Sequence, residues 1–196
     1  MKSSKNLKIL FATGLILLAA VSRLFPVLPN FQPVMAIALF AGAVFAGNRI
    51  LGFAIPIGAM LLSDVLLHFF SESLFGFYVG FHSSMLSVYF SFALIVLLGM
   101  RYASNFKPLS ILGTSLFSAI LFFVITNFSS WLVGLDINSM PYPKDFGGIA
   151  RCYAEAVPFF RYTVGSVLLY SLVLFGAYAA VEKLYFNPVL IKIDSK

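Results

Sequence analysis

Apolar residues run through this chain in long blocks, separated by short stretches where charge, proline or glycine collects. A helix that crosses the roughly 30 Å hydrocarbon layer needs about 20 mostly apolar residues. Six blocks approach or exceed that length, over 7–25, 33–47, 50–70, 77–100, 109–132 and 158–184. A transmembrane barrel would instead show short segments of alternating hydrophobicity, and 15–20 and 120–125 do not alternate. The pattern predicts an all-α membrane protein, a six-transmembrane-helix bundle forming one integral membrane domain over 1–196. The second block is short for a span, which calls for little tilt, local thinning or a buried start. Gly47-Asn48 predicts a tight turn between helices two and three, and Pro56 a kink inside helix three.

Charge orients the helices. With the amino terminus inside, Lys2, Lys5, Lys8, Arg49, Arg101, Lys107, Lys183, Lys192 and Lys196 fall on the cytoplasmic side. Only Arg23, Lys144, Arg151 and Arg161 fall outside, the asymmetry that cytoplasmic loops show. Both termini are therefore expected in the cytoplasm, with the protein in a bacterial inner membrane. The start also imitates a signal peptide, with a basic 1–8, an apolar 9–20 and a cleavage-like Ala20-Val21-Ser22. A retained first helix is the preferred reading, because the apolar run continues through Leu24 and Phe25.

Composition agrees: 61% of residues are hydrophobic and 10% charged, against roughly 25% charged in soluble domains. The net charge of +6 does not indicate nucleic acid, because the cations punctuate apolar segments and form no stripe. One cysteine, Cys152, allows neither an internal disulfide nor a cysteine metal cluster.

Two connections on the outer side are rich in chemistry. The segment 24–33 carries Pro26, Pro29 and Pro33 beside Asn30 and Gln32. It reads either as a rigid turn or as a stiff loop presenting the two amides to a ligand. The segment 133–157 is the longest expected loop and holds Tyr142, Gly147-Gly148, Arg151, Tyr153 and Glu155. Loops of that length are commonly functional, so a glycine-hinged lid and a static cap are both open. Small residues recur at four-residue spacing as Ala38/Gly42/Ala46, Ala43/Gly47, Ala54/Gly58 and Ala59/Ser63. Such spacing lets helices approach closely in lipid; packing of helices two and three is the first reading, a docking face the second.

Ionisable groups inside the membrane carry the most information, since a charge at the bilayer centre costs at least about 2.5–3.5 kcal/mol. Asp64 lies past the middle of helix three, with His68 one turn on. Asn127 and Trp131 share the outer end of helix five, and Arg161 with Tyr162 opens helix six. By topology these share the outer third of the membrane beneath Asn30 and Gln32. One reading is an Asp64–Arg161 or Asp64–His68 pair that only ties helices together. The other is an outward-facing polar pocket walled by Trp131 and Tyr153, the usual form of a small-molecule site. His82 falls near the outer boundary and is given no role.

Catalytic motifs are absent. There is no phosphate loop of the G-x-x-x-x-G-K-[ST] type, no H-E-x-x-H and no G-x-S-x-G. The two histidines, His68 and His82, have no zinc-site spacing. Neither an enzyme nor a cofactor is expected.

Asn30-Phe31-Gln32-Pro33, Ala36 to Gly42 and Pro56 to Asp64 resemble the amino-terminal half of the substrate-binding S components of energy-coupling factor (ECF) transporters. From about 9 to 181 the chain also resembles a family of uncharacterised bacterial putative transport proteins. That likeness rests on Ile125-Thr126-Asn127-Phe128 with Trp131, Tyr142-Pro143, Gly147-Gly148, Cys152-Tyr153 and Pro158-Phe159-Phe160. The S-component resemblance implies six helices and a micronutrient site near the outer face, bordered by the loops after helices one and five. It also implies a transmembrane coupling subunit and cytosolic ATPases as partners. The Ala-x-x-x-Ala docking pattern of helix one is missing, since Ala12 is followed at i+4 by Ile16 and Ala19 by Arg23. The expectation is a substrate-capture subunit for uptake of a small organic micronutrient, with Asp64, Asn127 and Arg161 as polar anchors and Asn30, Gln32, His68, Trp131 and Tyr153 around them. A self-sufficient facilitator or proton-coupled carrier, and a membrane enzyme or structural subunit, are the alternatives.

Overall fold

A computed structural model describes residues 2–25, 28, 30–76, 81 and 83–186, with side chains from Asn6 to Tyr185. Pro26, Pro29 and His82, the first residues of the helix expected from 77, and Lys192, Asp194 and Lys196 lie outside the described residues. Among the described residues six α-helices follow one another: α1 (Lys2–Val21), α2 (Val34–Val44), α3 (Arg49–Phe75), α4 (Met85–Leu98), α5 (Pro108–Val133) and α6 (Phe146–Val181). A 3₁₀ turn, Ser22–Leu24, extends α1, and wider π turns, Gly99–Ala103 and Glu182–Phe186, extend α4 and α6. Five of these segments are long and apolar enough to cross a membrane: Asn6–Leu24, Arg49–Phe75, Met85–Ala103, Pro108–Val133 and Phe146–Tyr185. The chain is an all-α, multi-pass membrane protein.

Helix α2 departs from the expected span over 33–47. Its 11 residues rise about 16 Å at 1.5 Å each, roughly half the hydrocarbon thickness. Every residue from Val34 to Ala43 is buried. An apolar helix with no polar face belongs inside a bundle, and here the longer helices enclose it. Phe40 stands at its centre, edge-on to Phe175 at 5.3 Å and Tyr178 at 5.7 Å between ring centroids. The turn after it ends at Asn48, whose side chain caps α3 by accepting the Leu51 N–H at 3.2 Å.

α2 packs against both α3 and α4, and its closest approach is to α4. A Cβ on Gly42 would stand 2.1 Å from the Val96 carbonyl oxygen, and one on Gly99 would stand 2.3 Å from that of Leu39. The two backbones therefore touch, as small-residue crossings in lipid allow. Ala38, Gly42 and Ala43 are buried, Ala46 is half-buried and Gly47 is exposed. On α3, Ala59 and Ser63 turn inward while Ala54 and Gly58 are exposed. The helix continues through Pro56, which is itself buried.

Buried hydroxyls close the remaining helix contacts. Ser115 and Ser171 join α5 to α6 at 3.1 Å. Ser91, Thr114 and Ser118 donate to carbonyls one turn back in their own helices, a satisfied arrangement in an apolar surround. Lys8 and Glu182 form an ion pair at 2.6 Å, fixing the start of α1 beside the end of α6. Large apolar side chains such as Leu18, Phe69, Leu86 and Leu172 cover the outside, where lipid replaces water as the solvent.

About half of the predicted loop 133–157 is helix. α6 begins at Phe146, because Asp145 caps it by accepting the Gly148 N–H at 2.7 Å. Residues 146–157 thus form its first turns, leaving a connection over 134–145. Gly148 is a packing point, not a hinge: a Cβ there would stand 2.0 Å from the Pro143 carbonyl oxygen.

These contacts separate two glycines of similar sequence setting. Gly42→Ala is expected to destabilise by about 1–3 kcal/mol through overpacking. Gly58→Ala meets open space and is expected to be neutral or slightly stabilising, since alanine favours helix over glycine. Thermal unfolding of the detergent-solubilised variants checks this; equal losses at both positions would contradict the α2–α4 contact.

Candidate functional site

A cavity of about 690 Å³ opens at the end of the bundle where α1, α3 and α5 finish and α2, α4 and α6 begin. The shortness of α2 creates it. Val34 and Met35, the first residues of that helix, line its inner end, and no longer helix fills the space beyond them.

Arg23 and Asp64 form the polar part of the inner wall. Arg23 lies on the buried line Ala12, Ile16, Ala19 of α1, and the 3₁₀ turn that ends the helix keeps it inside. Its Nη1 stands 2.7 Å from Asp64 Oδ1, with both side chains more than nine-tenths buried. Nη1 also donates to the Ser63 hydroxyl, and to Met60 sulfur at 3.3 Å, while Nε donates to Gln32 Oε1 at 3.4 Å. Asp64 occupies the inward stripe of α3 with Met60, Ser63 and Leu67. Its second oxygen accepts the Tyr89 hydroxyl of α4 at 2.7 Å. A carboxylate with a guanidinium and a phenol donor is compensated for leaving water.

The outer wall is made by α5, the start of α6 and the connection between them. Asn127 donates to the Phe123 carbonyl at 2.8 Å. Phe122, Phe123, Phe159 and Phe160 supply the apolar lining. Tyr142 donates to Glu155 at 2.7 Å. Arg151, outside the lining, bridges Glu155 and Asp136, each at 2.8 Å. Burial, then the bond to Glu155, raises the Tyr142 phenol above its ordinary value, so the hydroxyl keeps its proton. Asp136 accepts the backbone N–H groups of Met140 and Asn138, and the Met140 bond is the main cause that holds its carboxyl below the usual range. Leu135, Asp136, Ile137 and Tyr142 place this connection directly on the cavity.

Of the residues singled out from the sequence, Asn30, Gln32, Asp64 and Asn127 line the cavity. His68, Trp131, Tyr153 and Arg161 do not. His68 is exposed and contacts the rings of Phe69 and Phe81 at 5.0 and 5.2 Å. The Trp131 indole donates to the Pro143 carbonyl at 2.8 Å and lies under Lys144, so it fastens the connection to α5. Tyr153 donates to the Val124 carbonyl at 2.6 Å. Arg161 is exposed, 4.7 Å over the ring of its neighbour Tyr162. Asp64 is paired with Arg23, and the expected Asp64–Arg161 and Asp64–His68 pairs are not formed. Sequence reasoning counted Arg23 only as a loop charge, and passed over Tyr89, Asp136 and the lining role of Glu155. The available signal for Arg23 was its spacing of four and seven residues from Ala19 and Ile16, which puts it on their face. Among the described residues no group of three His, Cys, Asp or Glu side chains is placed to hold a metal ion.

Comparison with curated proteins and with solved structures gives no match. The family profile described as "Family of unknown function (DUF6580)" matches residues 3–190. A cavity at one end of a helical membrane bundle, walled by a buried Arg–Asp pair, is thus found in a chain that belongs to family DUF6580.

Proposed function

We propose that this protein captures a small organic solute from outside the cell, as the membrane-embedded binding subunit of an uptake system. The observation that carries the reading is the cavity of about 690 Å³ with the Arg23–Asp64 pair on its wall. Small-molecule sites are commonly hollows of roughly 300–1,000 Å³, mostly apolar with a few convergent polar groups. Orientation follows from charge. Lys8, Arg49, Arg101, Lys107 and Lys183 belong to helix ends opposite the cavity, and the positive-inside rule puts that end in the cytoplasm. The cavity then faces the exterior of a bacterial inner membrane.

The S-component resemblance supports the same reading and supplies an energy source, a transmembrane coupling subunit with cytosolic ATPases. Docking through the α1 positions where S components carry Ala-x-x-x-Ala is disfavoured, because Ala12 and Ile16 are fully buried. A proton-coupled mechanism through Asp64 gains no support from a carboxylate already held by Arg23 and Tyr89.

Native mass spectrometry of the full chain, released from mild detergent, is expected to show a bound organic molecule of cavity size. An empty spectrum, together with no stabilisation by any solute of a broad metabolite panel, would defeat the reading. Transport by the chain alone in proteoliposomes would replace it with a facilitator.

The ion pair gives a second test. Asp64→Leu leaves a buried guanidinium uncompensated and is expected to cost about 3–5 kcal/mol. The double variant Arg23→Leu/Asp64→Leu is expected to regain most of that stability while losing bound solute. Retention of solute by the stable double variant would remove the pair from the site.

A further inference from the structure

Resting on the capture reading, we infer that Arg23 is the ligand's anchor, and that it receives a neutral carbonyl-type acceptor carried on an aromatic body. The Nη1 and Nε atoms of Arg23 are committed to Asp64, Ser63, Met60 and Gln32. Among the described residues none accepts a hydrogen bond from its Nη2. Among the described residues no fully enclosed side-chain polar atom lacks a partner, so Nη2 keeps access to the cavity that Arg23 lines. Arg23 is only 8% exposed. A guanidinium so deeply held, with one amino group left over, is a fixed donor aimed at whatever fills the hollow. Because Gln32 spends its carbonyl oxygen on Arg23, its amide NH₂ is a second donor in the same region. The first residues of α2, Val34 and Met35, add the donor-rich end of a helix at the floor.

Charge argues against a carboxylate or phosphate in this place. Asp64 already pairs with Arg23, and its second oxygen accepts the Tyr89 hydroxyl. Across the cavity stand Asp136 and Glu155, both paired with Arg151. Among the described residues that line the cavity, Arg23 is the one cation beside three carboxylates, and an anionic ligand would add like charge to them. A neutral carbonyl takes the Arg23 hydrogen bonds without that repulsion. Phe122, Phe123, Phe159 and Phe160 line the space between the two polar walls, a setting in which a flat ring packs offset or edge-on.

The test uses the full chain in detergent and three probes with one ring and similar length: indole-3-acetamide, indole-3-acetate and tryptamine. Isothermal titration is expected to rank the neutral amide above the other two by about tenfold, because tryptamine lacks an acceptor for Arg23 and indole-3-acetate adds like charge to the lining carboxylates. Arg23→Lys keeps a cation for Asp64 but loses the guanidinium fork, and is expected to lower amide affinity about tenfold while circular dichroism shows the chain still folded. Equal or tighter binding of indole-3-acetate to the wild-type chain overturns the assignment and leaves the capture reading standing; so does unchanged amide binding in Arg23→Lys. If no probe binds, the molecule found by native mass spectrometry decides. An aromatic compound with a neutral carbonyl supports the assignment, and a carboxylate, a phosphate or a purely aliphatic solute overturns it. No probe binding and an empty spectrum overturn both readings together.

Discussion

A charge in the interior of a membrane bundle must be answered by another charge or by water, and that constraint organises one whole end of this protein. Arg23 lies in the turn that closes α1, Asp64 just past the middle of α3, and Tyr89 one turn into α4, yet all three meet in one hydrogen-bonded group. Separating them would leave a buried ion without compensation, a state far less stable than the pair. The pair therefore fixes the register of α1 against α3 and of both against α4. It also leaves polar atoms at the boundary of a hollow, where a ligand can reach them.

The hollow has a mechanical origin in α2. A short apolar helix can be fully enclosed only if its neighbours approach closely, and the backbone contact of Gly42 with Val96 and Gly99 supplies that approach. The enclosed helix then stops well short of the bundle's length. Its amino-terminal end becomes a floor, with α3, α4, α5 and α6 rising past it as walls. Tight packing at one depth and open volume at another are consequences of the same helix.

The outer wall is held by different physics. Its connection, 134–145, is fastened by the Trp131–Pro143 bond, by Gly148 seated against Pro143, and by Arg151 between Asp136 and Glu155. Arg151 is 43% exposed, so those ion pairs lie where solvent screens them. The inner pair is almost wholly buried. The cavity thus has a rigid inner wall and an outer wall whose electrostatic clasp is weaker.

Block hydrophobicity alone settled that the chain is helical and belongs in a membrane, because lipid leaves no other way to satisfy so many backbone groups. Single positions also carried local information: Asn48 reads as a cap, and Asp64 as a buried charge needing a partner. Which partner it found was not legible. Arg23 and Arg161 are both basic residues at the end of an apolar run, and only the fold turns one inward and leaves the other on Tyr162. In the same way 146–157 has the glycines and aromatics of a loop, yet Asp145 and the surface of α5 make it helix. The span predicted at 33–47 became a buried half-length helix for a reason absent from its own residues. An apolar segment is compatible with lipid and with protein alike, and the packing of the other helices decides which one surrounds it.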